Sequence, residues 1–453
     1  MLRANSLPGR SRLHRSAGRA IAWLDSNWLP LAGLTATSIA ILNIRSVHLF
    51  HTIEKHLVFR ARILHGFTAT DVVPSYPTPP TFPMWGYGWV LLLTTNKVAL
   101  VGIQMAVALA STWYLFRAID QGGVLSGRAR PLLQLLLVVC TPWFAYHSIE
   151  WSQSLAASLL VLSLALLIDV ASGRPRPWAL IAMSAVCFGL NLNLASDLYL
   201  LPFGIAAAAM AGSHWSQIRA VHALAWLAGV GAMMVPWMLY TWHATGTPLV
   251  KSTNQGHVLL IGLGQDPHNR FGVTYSDGDP TMYGILRTEL GDTVARRFYA
   301  SCSFEADPVL KRAFVRMVSS RPMAYLDLAW IKMRHILSGD VGIYPGEFDE
   351  GENAGLFGIG QPVRRFVRRY TVRAGRLLQL GTTILAPLVT IVALRRRQIA
   401  WAFVLLPIVY LYLSCSVAVV QPQYVASVIL LQLLVCAQGI GLLIEGIETV
   451  GRT

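Results

Sequence analysis

The hydrophobic positions of this chain form long unbroken runs, not the alternation of a strand or the single stripe of a surface helix. Ten runs recur from end to end, at about 28–45, 98–117, 131–147, 154–171, 178–194, 198–212, 221–242, 376–394, 399–418 and 424–445. Roughly 18 or more apolar residues suffice to cross a bilayer as a helix. The pattern therefore predicts an all-α, polytopic integral membrane protein with about ten transmembrane helices, or eleven if 83–95 also crosses. That segment is short, and reads as re-entrant or interfacial. Residues 309–338 differ again. Their apolar positions recur at helical spacing but are interrupted by Arg316, Asp327, Lys332 and Arg334, which predicts amphipathic helices at a membrane surface.

The polar positions set the orientation. Arg3, Arg10, Arg12, Arg15 and Arg19 precede the first run. Arg117, Arg128 and Arg130, then Arg174 and Arg176, then Arg395, Arg396 and Arg397 mark later turns. Basic turns stay in the cytoplasm, so the N-terminus is expected there, as a basic tail and not a removed signal peptide. Ten spans then place the two longest polar stretches together on the outer face. The chain divides into an N-terminal transmembrane module, 1–242, carrying a first outer loop at 46–97; a large outer loop with amphipathic helices, 243–371; and C-terminal helices, 372–453.

Composition supports this division. The chain of 453 residues is 54% hydrophobic and only 13% charged, about half the charged fraction of a soluble domain. An ordinary soluble enzyme and a disordered chain are both excluded as descriptions. The net charge of +15 could signal nucleic acid, but its Arg residues sit in short clusters between apolar runs, which fits topology signals and lipid contact better. The five cysteines, Cys140, Cys187, Cys302, Cys415 and Cys436, show no metal-type spacing and no disulfide framework.

Five short elements then appear in order. Tyr76-Pro77-Thr78-Pro79-Pro80-Thr81-Phe82-Pro83 precedes the short apolar segment. Ala195-Ser196-Asp197-Leu198-Tyr199-Leu200-Leu201-Pro202 opens the sixth run. Pro236-Trp237, Gly246-Thr247-Pro248 and Ser252-Thr253-Asn254-Gln255-Gly256 lead into the large loop. Arg321-Pro322 through His335 forms the amphipathic stretch, and Gln423-Tyr424 precedes the final run. This ordered set resembles the GT-C superfamily of polyprenyl-phosphate-sugar glycosyltransferases, close to the bacterial glycosyltransferase 39 type. The resemblance covers most of the chain. It implies a bacterial inner-membrane enzyme that moves a monosaccharide from a polyprenyl-phosphate donor to a glycan, lipid or protein acceptor on the periplasmic side. No cofactor is implied as a requirement, a divalent cation stays open, membrane lipids are the surroundings, and no nucleic acid is involved.

Candidate chemistry follows from the few ionisable residues at the outer ends of the runs. An inverting transfer needs a carboxylate to take the acceptor hydroxyl proton. Glu54, the carboxylate the resemblance points to in the first outer loop, is the expected base, with Asp71 as the alternative. Glu150 with Tyr146 and His147, and Asp197, are expected to bind sugar. Lys251, and Arg364, Arg365 and Arg368 of a cluster running to Arg376, are expected near the donor phosphate, which guanidinium forks bind bidentately. Gln423 and Tyr424 complete the expected set, and no metal site is expected. Each residue also has a plainer reading, as a solvated helix end or a lipid contact. The resemblance has departures: Gln153 and Gln423 stand where the family carries Glu and Arg. A non-catalytic lipid-binding subunit of GT-C type, a lipid or solute transporter, and an enzyme moving a longer lipid-linked glycan are therefore the alternatives.

Overall fold

The computed structural model describes residues 8–43, 57, 60, 81–82, 84–148, 152–297, 299–339 and 361–450. Glu54, Asp71 and Glu150 lie outside the described residues. No strand occurs among the described residues, and the chain is an all-α, multi-pass membrane protein.

Helix α1 spans Pro8–Asn43, α2 Gly86–Leu93, α3 Lys97–Gln121, α4 Ala129–Val139 and α5 Thr141–His147. Then follow α6 at Ser152–Ala171, α7 at Pro177–Leu194, α8 at Leu201–Ala211 and α9 at Ala220–Thr245. Seven helices of the described chain are long and apolar enough to cross a membrane, and the bent pair α4–α5 makes an eighth if it counts as one span. The pair turns by 46° at Cys140, where Pro142 in the first turn of α5 removes a backbone donor. The expected run at 131–147 is thus two helices. The run expected at 198–212 contains only eleven helical residues, about 16 Å at 1.5 Å per residue, against a hydrocarbon core of about 30 Å. Segment 83–95 holds the eight-residue α2, too short to cross.

Close approach and polar pairing hold the bundle where lipid offers no hydrophobic drive between helices. Gly189 of α7 lies directly against Met233, and Gly229 of α9 against Ala185. Ser163 and Ser184 hydrogen-bond across α6 and α7 at 2.8 Å, and Trp226 Nε1 donates to Ser184 Oγ at 2.9 Å. No water exists at that depth, so each buried hydroxyl needs such a partner.

The large loop expected on the outer face folds into a helical layer with its own core. Helix α10 spans Gln255–Leu263, α11 Pro280–Leu290, α12 Ala306–Ser320 and α13 Pro322–Leu337. Leu260, Met282, Leu286, Leu310 and Leu328 are buried together between them. The amphipathic stretch is two helices because Pro322 follows Arg321 at their junction, and proline favours a first helical turn. Asp279 caps α11, accepting from Met282 N at 2.7 Å and from both Thr274 N and Oγ1 at 2.7 Å. The last turns of the first outer loop join this layer. Thr253 Oγ1 donates to Cys302 O at 2.6 Å, which leaves Thr81 as the donor in the 2.7 Å contact between the two threonines.

Helix α14 spans Gln361–Arg395, α15 Ala400–Val417, α16 Pro422–Ala426 and α17 Ile429–Val450. This helical layer docks on the C-terminal end of α15. Tyr325 OH donates to Val417 O at 2.9 Å and Lys332 Nζ to Ala418 O at 2.6 Å, satisfying carbonyls at the helix end. Gly262 of α10 packs against the same Ala418 carbonyl so closely that a Cβ there would lie 2.0 Å from the oxygen.

Candidate functional site

Where α10 and α15 meet the turn between α7 and α8, they leave a cavity of about 410 Å³. One wall is polar. Asp197 and Tyr199 come from the α7–α8 turn, Lys251, Ser252, Asn254 and Gln255 from the approach to α10, and Tyr410 and Ser414 from α15. The other wall is apolar, with Leu200, Val258, Leu259, Leu413 and Val417. Leu200, Leu413 and Val417 are also exposed on the flank of the bundle, so the cavity reaches the surface that faces lipid.

The depth of the floor follows from one hydrogen bond. Tyr410 OH donates to the Asp197 carbonyl at 3.1 Å. Tyr410 precedes the C-terminal end of α15 by seven residues, about 10 Å along the axis. The Asp197 turn is therefore sunk below the C-terminal end of α15, and the shortness of α8 is what lowers it.

The Asp197 carboxylate faces the cavity and is accessible from it, but it is ringed by protein. No hydrogen bond or ion pair engages its carboxyl oxygens among the described residues. Burial pushes its pKa up to about 6, because the charged form loses water without gaining a partner. Tyr424, from the short helix α16, stands within electrostatic reach of Asp197, and burial raises its phenol well above the usual range. Behind them Tyr146 bonds Ser427 and also senses the Asp197 charge.

Lys251 supplies the opposite charge. Its ammonium sits 4.6 Å from the centre of the Tyr199 ring and hydrogen-bonds Gln255 Oε1. Burial first, then the nearby Lys311 charge, lowers its pKa to about 8, with Asp307 opposing the shift. The ammonium persists at neutral pH. The cavity thus offers a cation, an unpaired carboxylate, several hydroxyl and amide groups, and an apolar flank.

Four of the residues expected from the sequence gather here: Asp197, Lys251 and Tyr424 on the lining and Tyr146 just behind. His147 does not. It is fully buried, with Nδ1 against Trp143 O at 2.9 Å and Nε2 against Ser158 Oγ at 2.7 Å, which occupies both ring nitrogens inside the bundle. Arg365 is exposed and Arg368 half-buried on the outer half of α14, and neither lines the cavity. For Arg364 and Gln423 the structure describes the backbone only. Sequence reading missed Tyr410 and Ser414, which lie inside an apolar run; a phenol in mid-span was the available signal. No group of three or more His, Cys, Asp or Glu side chains that could hold a metal occurs among the described residues.

No family model matches the chain, and no curated protein is similar to it. Among solved structures, it is similar to the archaeal oligosaccharyltransferase AglB from Archaeoglobus fulgidus, solved with an inhibitory peptide and a dolichol-phosphate. The TM-score is 0.49 and the identity 11%, over 95% of this chain and 51% of that one. The chain thus spans about half the length of that enzyme. A likeness this distant is one of outline and carries no statement about chemistry.

Proposed function

We propose that this chain is a membrane glycosyltransferase of GT-C type. It transfers a hexosyl or pentosyl unit from a polyprenyl-phosphate donor to a glycan, lipid or protein of the cell envelope, at the periplasmic face of a bacterial inner membrane. The observation that carries the reading is the two-walled cavity: a half-buried cation and a carboxylate unpaired among the described residues on one side, and a leucine-lined flank open to lipid on the other. A lipid-phosphate sugar has that same division. Its chain lies along the apolar flank, its phosphate takes the Lys251 charge, and its sugar meets Asp197, Tyr410 and Asn254. The ordered motifs of the sequence support the same class.

In an inverting transfer the acceptor oxygen attacks the anomeric carbon as its proton passes to a carboxylate, and the lipid phosphate leaves as an anion. Lys251 steadies the charge that builds on that phosphate. A phosphate leaves well unaided, so the second carboxyl acid that glycoside hydrolysis requires has less to do. By the family resemblance Glu54 takes the proton, with Asp71 as the alternative. Asp197 has an observation of its own in its favour as the acceptor of that proton: an unpaired carboxyl held near neutrality inside the cavity, where a general base works best.

Transfer by purified protein, with Glu54→Gln beside Asp197→Asn, tests both assignments. Loss of turnover with donor binding retained identifies the base. If neither substitution changes turnover, both assignments are wrong.

A further inference from the structure

A second cavity, of about 390 Å³, lies at the other end of the bundle, between the starts of α7 and α9. Helix α7 runs for eighteen residues from this cavity towards the Asp197 turn, so the two sites are about 27 Å apart along it. The basic residues Arg174, Arg176 and Arg219 cluster here, which assigns this end to the cytoplasm.

Arg174, Arg219, Gln217 and His222 bring side-chain donors to the lining, beside Val170, Gly173 and Pro177. His222 is only 1% exposed. Its Nδ1 accepts the Arg219 backbone N–H at 3.2 Å, which fixes the neutral tautomer with the proton on Nε2. That Nε2 is buried and has no hydrogen-bond partner among the described residues. Trp178 meets the ring edge-on at 4.8 Å and holds it in place. Around it stand Arg174, Arg219 and the Gln217 amide.

Several backbone acceptors nearby are already used. The last carbonyls of α6 are taken: Ile168 O by Ser172 N, Asp169 O by Arg174 N, Val170 O by Gly173 N, and Ala171 O by Gln217 N. Ser216 Oγ donates to Gly212 O at 3.4 Å and accepts Ile218 N at 3.2 Å. Asp169 forms an ion pair with Arg174, its Oδ1 3.7 Å from Arg174 Nε, while its Oδ2 accepts Tyr114 OH at 2.8 Å. It does not line the cavity. The starts of α7 and α9 add the positive ends of two long helices.

We infer that this cavity binds a phosphate group on the cytoplasmic side, held by Arg219 and Arg174 with the His222 Nε2–H completing the cradle. The group is either free phosphate or the headgroup of an anionic lipid in the inner leaflet. This site is independent of the glycosyltransferase reading.

The test uses the full chain purified in neutral detergent. Inorganic phosphate is titrated and followed by calorimetry, and phosphatidylglycerol and phosphatidylcholine are scored for retention by native mass spectrometry. Arg219→Gln, at an exposed position, and His222→Phe, which keeps the ring packing, should each weaken binding at least tenfold. Arg312→Gln, exposed on α12, should leave it unchanged. Binding of inorganic phosphate that responds to both substitutions supports the site with the free ion as ligand. Retention of phosphatidylglycerol over phosphatidylcholine with the same response, and none of inorganic phosphate, supports it with the headgroup as ligand. Binding of neither probe, or binding indifferent to both substitutions, overturns it.

Discussion

Asp197 is where the structure makes its sharpest demand. Its carboxyl has been pushed up to about 6 by burial alone, so its charge state changes within the working range of an enzyme. If the ionised form contacts the reacting sugar or takes the proton, activity must rise with pH. With a pKa near 6, about 9% of the sites are ionised at pH 5 and about 91% at pH 7, so kcat/KM should climb about tenfold between them. An ordinary carboxylate such as an exposed Glu, near 4.3, would already be about 80% ionised at pH 5 and give an almost flat profile over the same interval. Asp197→Asn keeps the size and removes the charge. Losing a hydrogen bond to a charged group costs about 1.5–3 kcal/mol, so kcat/KM at pH 7.5 should fall by about tenfold to a hundredfold. The residual activity should lack the rise near pH 6. The assay is donor-dependent transfer measured from pH 4.5 to 9 at constant ionic strength. A wild-type profile that is flat between pH 5 and 7, or a limb near 6 that persists in Asp197→Asn, would refute the reasoning.

Lys251 sets the other limb: its ammonium is lost as pH rises through about 8, so kcat/KM should fall there, making a bell with Asp197. Lys251→Met should raise the KM for donor about tenfold or more and abolish that upper limb, and Lys251→Arg, charged throughout, should move the limb beyond the measured range. Lys332 gives a stability test. Burial lowers its pKa to about 7 in the folded chain, whereas in the unfolded chain it holds its proton to near 10.5. The unfolded state therefore binds more protons between those values, and stability rises with pH across that window. Thermal unfolding of wild type against Lys332→Met from pH 7 to 9.5 should show a rise in the first that is reduced in the second. Equal slopes would mean that the ammonium is not buried as described.

Much of the fold could be read from the sequence because lipid leaves few options. Apolar runs such as 154–171 and 221–242 are helices within a few residues of where the pattern puts them. The amphipathic stretch is helical as its spacing predicts, and the structure breaks it at Arg321–Pro322. The bend at Cys140 was hidden because both arms are apolar, and only Pro142 interrupts the run. The shortness of α8 was hidden for a related reason: Leu198, in a separate 3-10 turn, and Tyr199 and Leu200 extend its hydrophobicity without joining the α-helix. In the site, Asp197 was visible because a lone charge at the end of an apolar run is costly unless used, and Lys251 as a cation beside Ser252 and Thr253. Tyr410 and Ser414 were not, because their direction depends on which face α15 turns inward, and that face is set by packing. The Arg cluster before Arg376 was visible as charge alone. Nothing local says what such a cluster meets, and the structure leaves Arg365 and Arg368 off the cavity lining.

The central claim is tested most directly by transfer itself. Purified protein in bilayer nanodiscs would be given a panel of labelled polyprenyl-phosphate sugars and a crude envelope acceptor fraction. The account predicts a labelled product that needs both donor and acceptor and rises with pH through about 6. Failure of every donor to bind, or donor bound tightly with no product from any acceptor fraction, would contradict it, pointing in the first case to a transporter and in the second to a lipid-binding subunit.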